Sequence, residues 1–157
     1  KGQEDATLGE ELEAVDNYIY ILNVRFAGDI HFSKDVDESL ENVRVPSMIL
    51  QPVVENAVNH GIRDIEWEGK IHLTVTGDAD YIRISVKDNG KGMTPEQIEG
   101  VLTGNKKYKK EEGDSTGIGM NNVISRLELY YEETGLVEIN SEGEGKGTEV
   151  VIYIPVN

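Results

Sequence analysis

The first 26 residues carry a narrow stripe of apolar side chains at helical spacing. They recur at intervals of three or four residues, at Leu8, Leu12, Val15, Ile19, Leu22 and Phe26. This heptad pattern predicts a helix whose apolar seam packs against another helix. The narrowness of the stripe favours part of a dimerisation bundle, and the alternative is a helix that lies on its own domain. Gly28 is a plausible C-cap, so we divide the chain into a dimerisation-helix segment at residues 1–28 and a second domain at residues 29–157.

A second helical pattern follows Pro46. Its apolar positions fall on one face, at Ile49, Leu50, Val53, Val54 and Ala57. Its polar positions fall on the other face, at Asn56, Asn59, His60 and Arg63. The spacing predicts a helix with one buried side, and Gly61 is expected to close it. The mixed pattern of residues 30–45 predicts only a short strand or a loop.

The middle of the chain alternates between apolar and polar residues. Two such runs place apolar residues at every second position, at Ile71, Leu73 and Val75 and then at Ile82, Ile84 and Val86. A turn-forming segment at residues 77–80 lies between them, so an antiparallel hairpin with one solvated face is predicted. Residues 136–140 and 148–155 predict two further strands, separated by a glycine-rich segment.

Two more helices are predicted after the hairpin. Thr94-Pro95-Glu96-Gln97 has the residues of a capping box and predicts the start of a short helix. Residues 103–116 form a polar, lysine-containing loop that is long enough to be a lid or to be disordered. The glycine turn at 116–119 then opens a helix whose predicted buried positions are Met120, Val123, Ile124, Leu127 and Tyr130. Together these elements predict an α+β fold, a two-layer sandwich with helices on one face of a mixed, mostly antiparallel sheet.

Composition narrows the classes of function. The chain has 157 residues, 38% of them hydrophobic, which is enough for one packed domain with an added element. The net charge of -15 repels nucleic acid and anionic membranes, so no nucleic-acid partner is expected. The absence of cysteine excludes disulfides and thiolate chemistry. No apolar run approaches the roughly 20 residues of a membrane span. Because the sequence begins with lysine, we expect a piece of a longer protein.

Four candidate features follow one another along the chain. They are the polar helix face at residues 56–60, Asp88 with two glycines, the polar loop, and the glycine turn at residues 117–119. Each is weak evidence alone, since a single G-x-G is usually only a turn and an aspartate at a strand end can simply stabilise a turn. Their joint occurrence favours a nucleotide site.

The residue types match the parts of a purine nucleotide. Asp88 can accept the amino hydrogen of adenine, whereas guanine presents a carbonyl at that position and leaves the carboxylate without a donor. Gly90 and Gly92 allow the backbone to approach the purine closely. The amide oxygen of Asn56 suits Mg²⁺, which takes few protein ligands. The turn at residues 117–119 offers N–H groups and the positive end of a helix dipole to phosphates.

Other common sites are not indicated. The sequence has no G-x-x-x-x-G-K-[ST] motif of a P-loop, and its glycines do not follow the dinucleotide-binding spacing. The three histidines, His31, His60 and His72, are far apart and form no recognisable nucleophile or metal motif.

The ordered motifs closely resemble the ATPase superfamily of gyrases, chaperones, histidine kinases and mismatch-repair proteins. Within it they are similar to two-component sensor histidine kinases, through an N box (QPVVENAVNHG, residues 51–61), a G1 box (DNGKGM, residues 88–93), a G2 box (STGIGMNN, residues 115–122) and a closing GKGT at residues 145–148. Residues 8–18 resemble the segment before the catalytic domain in the autolysin-regulator class. The resemblance covers nearly the whole chain.

This resemblance implies a Bergerat-type α/β sandwich that binds ATP and Mg²⁺ under a mobile lid. It implies Asp88 on adenine, Asn56 on Mg²⁺, and Asn59 and His60 beside the phosphates or ribose. Glu55 and Asn56 are the implied catalytic residues. The remaining ATP-binding residues that it implies are Gly90, Gly92, Met93, Gly117, Ile118, Gly119, Met120 and Thr148.

Three departures from the family pattern limit the expected activity. ATP-hydrolysing relatives carry a glutamate where this chain has Pro52, so efficient ATP hydrolysis is not expected. A basic residue is common at position 59, where this chain has asparagine, which weakens the phosphate role implied for Asn59. The acceptor histidine is expected upstream of Leu8 and none of the three histidines fits it, so this chain should bind ATP without autophosphorylation.

The function expected from the resemblance is transfer of the γ-phosphoryl group of ATP to a histidine of the parent kinase, for relay to a response-regulator aspartate. The expected partners are ATP, the acceptor-histidine helix of the same or a paired subunit, and the response regulator. The expected setting is the cytoplasmic part of a homodimeric membrane sensor. The alternatives are a non-catalytic nucleotide-binding interaction module, a serine-directed kinase of the anti-sigma type, and a purely structural dimer domain.

Overall fold

In the part of the chain that the structure describes, the main sheet has five strands and shares one core with the helices. The computed structural model describes residues 4–25, 30–104 and 116–156. The strands are β2 (Ile30–Val36), β4 (Gly69–Gly77), β5 (Tyr81–Asp88), β6 (Val137–Asn140) and β7 (Thr148–Pro155), and their order is β2-β4-β5-β7-β6. Only β2 and β4 pair in parallel, and the other neighbours pair antiparallel. The predicted mixed, mostly antiparallel sheet is confirmed, and residues 30–36 form a full strand of it.

Among the described residues, four α-helices contribute side chains to the same core as this sheet. They are α1 (Leu8–Arg25), α2 (Leu50–Asn56), α3 (Pro95–Thr103) and α4 (Thr116–Tyr131), with a 3₁₀ turn at Glu38–Leu40. The alternating residues of the predicted hairpin point into this core, since Leu73 lies opposite Val86 and both are buried. The predicted hairpin and two-layer fold are therefore confirmed.

The apolar seam of α1 is used within the chain. Leu8, Leu12, Val15 and Ile19 are all buried in the common core, and Leu22 is partly buried against it. This burial fits the alternative in which the helix lies on its own domain, and it leaves those four residues unavailable for a second copy. Phe26 and Gly28 lie outside the described residues, as does the junction between residues 28 and 29, so the domain boundary stays a prediction.

A small two-stranded sheet is formed by one strand before α1 in the sequence and one strand after it. Strand β1 (Asp5–Thr7) pairs antiparallel with β3 (Arg44–Pro46), with Ala6 opposite Val45. Asp5 forms an ion pair with Arg44 and accepts a hydrogen bond from the Tyr130 hydroxyl of α4 at 3.2 Å. This sheet was not predicted, because strands of three residues are too short to show an alternating pattern.

Local capping explains where two helices begin. Thr7 and Glu10 form reciprocal hydrogen bonds of 2.9 and 3.1 Å at the start of α1. Thr94 and Gln97 form the predicted capping box at the start of α3, at 2.9 and 3.1 Å. The box at Thr7 has the same sequence signature and was missed. In α4, Met120, Val123 and Leu127 are buried as predicted, whereas Ile124 and Tyr130 are only partly buried.

Candidate functional site

The helix that carries the candidate magnesium ligand is capped from a distant part of the chain. No side chain within the first turn of α2 caps it, and Met48 just before it has a positive φ of 63°. Instead the buried Glu11 carboxylate accepts hydrogen bonds from the N–H groups of Met48, Ile49 and Leu50, at 2.9, 2.9 and 3.1 Å. A carboxylate at this position satisfies donors that the helix cannot satisfy itself and favours its dipole. Helix α1 thereby holds α2 in place.

The same helix widens where its polar residues lie. After α2 the chain continues as a π-helical turn, Ala57–Ile62, and the Arg63 N–H donates to the carbonyl of Val58 at 3.0 Å, five residues earlier. Such turns are rare in proteins, and those that occur are often found at functional sites. The turn carries Asn59 and His60, which are both partly buried. The helix therefore ends at Ile62, and Gly61 lies inside its last turn.

The amide oxygen of Asn56 lies at the junction of α2 and the π-helical turn. This Oδ1 atom is buried and accepts no hydrogen bond from any residue that the structure describes. Buried oxygens without a partner are rare in native proteins, so this atom is suited to a ligand that supplies a positive charge or a donor. Glu55 lies beside it in sequence and accepts a hydrogen bond of 2.9 Å from Gln51.

Asp88 ends β5 as a buried carboxylate. It lies opposite Thr148 on β7, and its Oδ1 accepts a hydrogen bond from the Gly90 N–H at 2.8 Å. Burial raises the pKa of Asp88 to about 6, while hydrogen bonds from the backbone of Gly90 and Thr148 act in the opposite direction. The charged form therefore predominates at neutral pH, in a site where desolvation strengthens its attraction for a hydrogen-bond donor.

Three glycines surround Asp88 so closely that no side chain fits. A Cβ atom at Gly61 would lie 2.8 Å from the Cγ atom of Asp88. A Cβ at Gly90 would overlap the carbonyl of Gly61, and one at Gly147 would overlap the carbonyl of Asp88. The expectation that Gly61 serves to close the helix is therefore wrong, since Arg63 is the C-cap and Gly61 makes room for the carboxylate.

Backbone hydrogen bonds join the loop after Asp88 to the two segments beside it. The Lys91 N–H donates to Gly61 at 2.8 Å, and the Gly147 N–H donates to Gly90 at 3.0 Å. Gly92 has a positive φ of 77°, and a Cβ there would overlap the carbonyl of Gly143. The Met93 N–H donates to the Ser141 hydroxyl at 3.0 Å. Ser141 had no signal in the sequence that indicated this role.

The glycine turn at the start of α4 is described only in part. Gly117 and Ile118 lie in the first turn of α4, and only their backbone is described. Gly119 has open space around its Cα, since a Cβ there would meet nothing within 4 Å. Met120 is fully buried in the core. The lysines of the polar loop lie outside the described residues, so its role as a lid stays a prediction.

The structure thus brings one group of the predicted residues together. Asp88, Gly90 and Thr148 meet at the end of β5, and Gly61 connects them to the turn that carries Asn59 and His60. The described residues include no cluster of three His, Asp or Glu side chains that could hold a metal ion. Within the same ranges, no helix is long and apolar enough to cross a membrane.

The sequence of this chain is similar to an ATPase family and to bacterial sensor proteins. Residues 44–157 match the family described as histidine kinase-, DNA gyrase B-, and HSP90-like ATPase. The sensor histidine kinase YpdA of Escherichia coli is 35% identical over 99% of this chain, and the sensor protein LytS of Bacillus subtilis is 30% identical over 95% of it. This chain spans about a quarter of the length of these relatives.

Solved structures share the fold at lower identity. The mycobacterial sensor histidine kinase MprB superposes with a TM-score of 0.69 at 18% identity, covering 98% of this chain and 97% of that one. The catalytic domain of histidine kinase ThkA superposes with a TM-score of 0.68 at 20% identity, covering 99% of this chain and 96% of that one. These superpositions establish the Bergerat-type sandwich.

Proposed function

We propose that this chain, which belongs to the family of histidine kinase-, DNA gyrase B- and HSP90-like ATPases, is the ATP-binding catalytic domain of a sensor histidine kinase. The observation that carries the proposal is the buried Asp88 carboxylate, held among three glycines that leave space for no side chain. A buried carboxylate that keeps its charge is stabilised by hydrogen-bond donors, and its oxygens can accept a further donor besides the N–H groups of Gly90 and Thr148. The exocyclic amino group of adenine supplies one.

Discrimination between purines follows from this arrangement. The Asp88 carboxylate accepts hydrogen bonds only, and the N–H groups of Gly90 and Thr148 already orient it. Adenine offers an amino donor at the position where guanine offers a carbonyl acceptor. Two acceptors facing each other in a desolvated site repel, and both lose their hydrogen bonds to water. The domain should therefore prefer ATP to GTP.

One protein oxygen, the amide Oδ1 of Asn56, is suited to bind Mg²⁺. The Asn56 Oδ1 is buried, is an acceptor, and lacks a partner among the described side chains, which matches the preference of Mg²⁺ for few protein oxygens. When bound, the ion neutralises charge on the phosphates. We assign Asn56 to hold it, and Asn59 and His60 to flank the phosphates or ribose. Glycines 117 and 119, at the start of α4, would bind phosphate oxygens.

The whole protein's reaction extends this proposal. One of these relatives is named a sensor histidine kinase and the other a sensor protein. We propose that the γ-phosphoryl group passes to a histidine on a helix of the same or a paired subunit and then to a response regulator. We propose a homodimeric membrane sensor with this domain in the cytoplasm. The seam of α1 no longer supports dimerisation, since Leu8, Leu12 and Val15 are buried within the chain. Pro52 occupies the position of the water-activating glutamate, so ATP hydrolysis should be slow.

The test of histidine transfer uses the longer protein that includes the acceptor helix. Incubation with γ-labelled ATP should give protein-bound phosphate that is lost in acid and stable in base. Acid-stable label would favour a serine-directed kinase. ATP binding without any label would favour a non-catalytic nucleotide-binding module.

The substitution Asn56→Ala is expected to remove the contribution of Mg²⁺ to ATP binding. The affinity for ATP with Mg²⁺ should fall by about 10- to 100-fold, because one ligand of the ion is lost, whereas the affinity measured in EDTA should stay near that of the wild type. Calorimetric titration in both buffers measures the difference. Asn140→Ala, which removes an exposed amide on β6, is the matched control. An equal loss in EDTA would show that Asn56 does not act through the ion.

ATP affinity should fall as the pH drops below about 6. Ionised Asp88 accepts the adenine amino hydrogen and protonated Asp88 does not, so binding favours the charged form. Because the pKa of Asp88 is about 6 in the free protein, the affinity should decline by about tenfold for each pH unit below it. Purine riboside triphosphate, which shares the phosphates but lacks the amino group, is the control ligand. The same pH profile for both ligands would contradict the role of Asp88.

A further inference from the structure

The only tryptophan of the sequence lies beside the loop that follows Asp88. Trp67 stands in the connection between the π-helical turn and β4, and its side chain is 47% exposed. Its indole N–H donates a hydrogen bond of 2.6 Å to the backbone carbonyl of Asn89. Asn89 lies between Asp88 and Gly90, the two residues that we place at the adenine base. Trp67 belongs to none of the sequence motifs.

Asn89 is bound to the same short segment by three further hydrogen bonds. Its side-chain amide donates to the Glu68 carbonyl at 2.8 Å and accepts from the Lys70 N–H at 2.8 Å. Its backbone N–H donates to the Lys70 carbonyl at 3.2 Å. We call these four hydrogen bonds, which join Trp67, Glu68 and Lys70 to Asn89, the Asn89 clasp.

The clasp and the glycines hold the Asp88 loop from different directions. Gly61 and Gly147 contact the loop from the π-helical turn and from the start of β7. The clasp fastens the next residue along the chain to the segment that leads into β4. The backbone on both sides of the carboxylate is therefore fixed, and among the described side chains Trp67 is the one that donates a hydrogen bond to the Asn89 carbonyl.

We propose that Trp67 is a positioning residue for purine selection, which fixes the Asn89 backbone so that the Asp88 carboxylate cannot turn away from the base. This inference rests on the proposed role of Asp88 in adenine recognition. A rigid Asp88 carboxylate gains a hydrogen bond from adenine and cannot move away from the guanine carbonyl that repels it. If the loop can shift, the hydrogen bond to adenine is weaker and the repulsion of guanine is smaller. Removing the indole donor should therefore weaken ATP binding and relax the rejection of GTP.

The test is the substitution Trp67→Phe, which keeps an aromatic ring and removes the donor. In the full 157-residue chain, ATP affinity should fall by about three- to tenfold, and the ratio of ATP to GTP affinity should narrow by at least that factor. The ratio of affinities with and without Mg²⁺ should not change. Asn89→Ala should shift the purine ratio in the same direction, and the double variant should be little worse than the single ones, because both act through one clasp. The control is Tyr153→Phe, which loses a hydroxyl that donates to Glu138. Tyr153 alternates with the buried Ile152 and Ile154 along β7 and so lies on the face of the sheet away from the core.

The possible results separate this inference from the proposed function. A Trp67→Phe protein that melts at a lower temperature but keeps the wild-type purine ratio would overturn the positioning role, as would a fully additive double variant. If the wild-type chain itself does not prefer ATP to GTP, or if Asp88→Asn binds ATP as tightly as the wild type, the proposed function fails whatever Trp67 does. A narrowed purine ratio together with intact Asp88 dependence supports both.

Discussion

Asp88→Asn should abolish measurable ATP binding, with a loss of at least about 100-fold. The asparagine keeps the size of the side chain but replaces one acceptor oxygen with an amide donor. In the buried site formed with Gly61 and Gly90, that donor would face the amino group of adenine, and two donors cannot pair. The loss should exceed that of any other single substitution at this site.

The same substitution should make the free protein more stable. Burial raises the pKa of Asp88 to about 6, so between pH 4 and pH 6 the folded state holds a proton that the unfolded chain has released. The free energy of unfolding therefore falls as the pH rises through this window, and the charged carboxylate remains a cost at pH 7.5. Removing that charge should raise the free energy of unfolding by roughly 1–3 kcal/mol. The carboxylate that binds adenine therefore lowers the stability of the free protein.

Two measurements on each variant check this pair of effects. Calorimetry measures ATP binding, and urea unfolding at pH 7.5 measures stability. Asp80→Asn removes an equal charge from an exposed turn and should change neither quantity. An Asp88→Asn protein that is destabilised and binds no ATP would mean that the carboxylate serves mainly to hold the fold.

Glu11→Ala should lower the free energy of unfolding by about 3 kcal/mol. The variant loses the acceptor of three backbone N–H groups at the start of α2, two of them in buried residues. It also loses the negative charge that favours the helix dipole. These losses also weaken the attachment of α1 to α2, because the hydrogen bonds of Glu11 join the two helices.

Matched substitutions separate capping from loss of charge or volume. Glu13→Ala removes an exposed carboxylate from the same helix and should change stability by less than about 0.5 kcal/mol. Glu11→Gln keeps one acceptor oxygen and should lie between Glu11→Ala and the wild type. Urea unfolding of the three variants gives the comparison, and equal losses for Glu11→Ala and Glu13→Ala would contradict the capping role.

Elements whose signals are local were predicted correctly from the sequence. The hairpin of β4 and β5 has a two-residue period because one face is buried and the other is solvated, so its register follows from the alternation itself. The capping box at Thr94 depends on residues three positions apart. The order of the nucleotide motifs predicted the fold through a family resemblance, and Asp88, Gly90 and Thr148 do meet at one end of the sheet.

Features that depend on distant parts of the chain were not predictable. Glu11 caps a helix that begins almost 40 residues later, and nothing near either residue signals the contact. Gly61 lies where a C-cap is expected, but its lack of a side chain makes room for Asp88 at the end of β5. The seam of α1 predicted burial correctly, yet the spacing of apolar residues does not distinguish a partner helix from the chain's own core. The roles of Asn56, Asn59 and His60 toward a ligand remain predictions.

The burial of α1 has a practical consequence for how the protein is divided. The family match begins at residue 44, but a polypeptide cut there would lack four core side chains, the partner strand of β3 and the carboxylate at the start of α2. Such a truncation would expose a large apolar surface and should be recovered as aggregate. The family match, residues 44–157, is thus shorter than the unit that folds, whereas the similarity to YpdA extends over 99% of the chain, and an expression boundary belongs before Asp5.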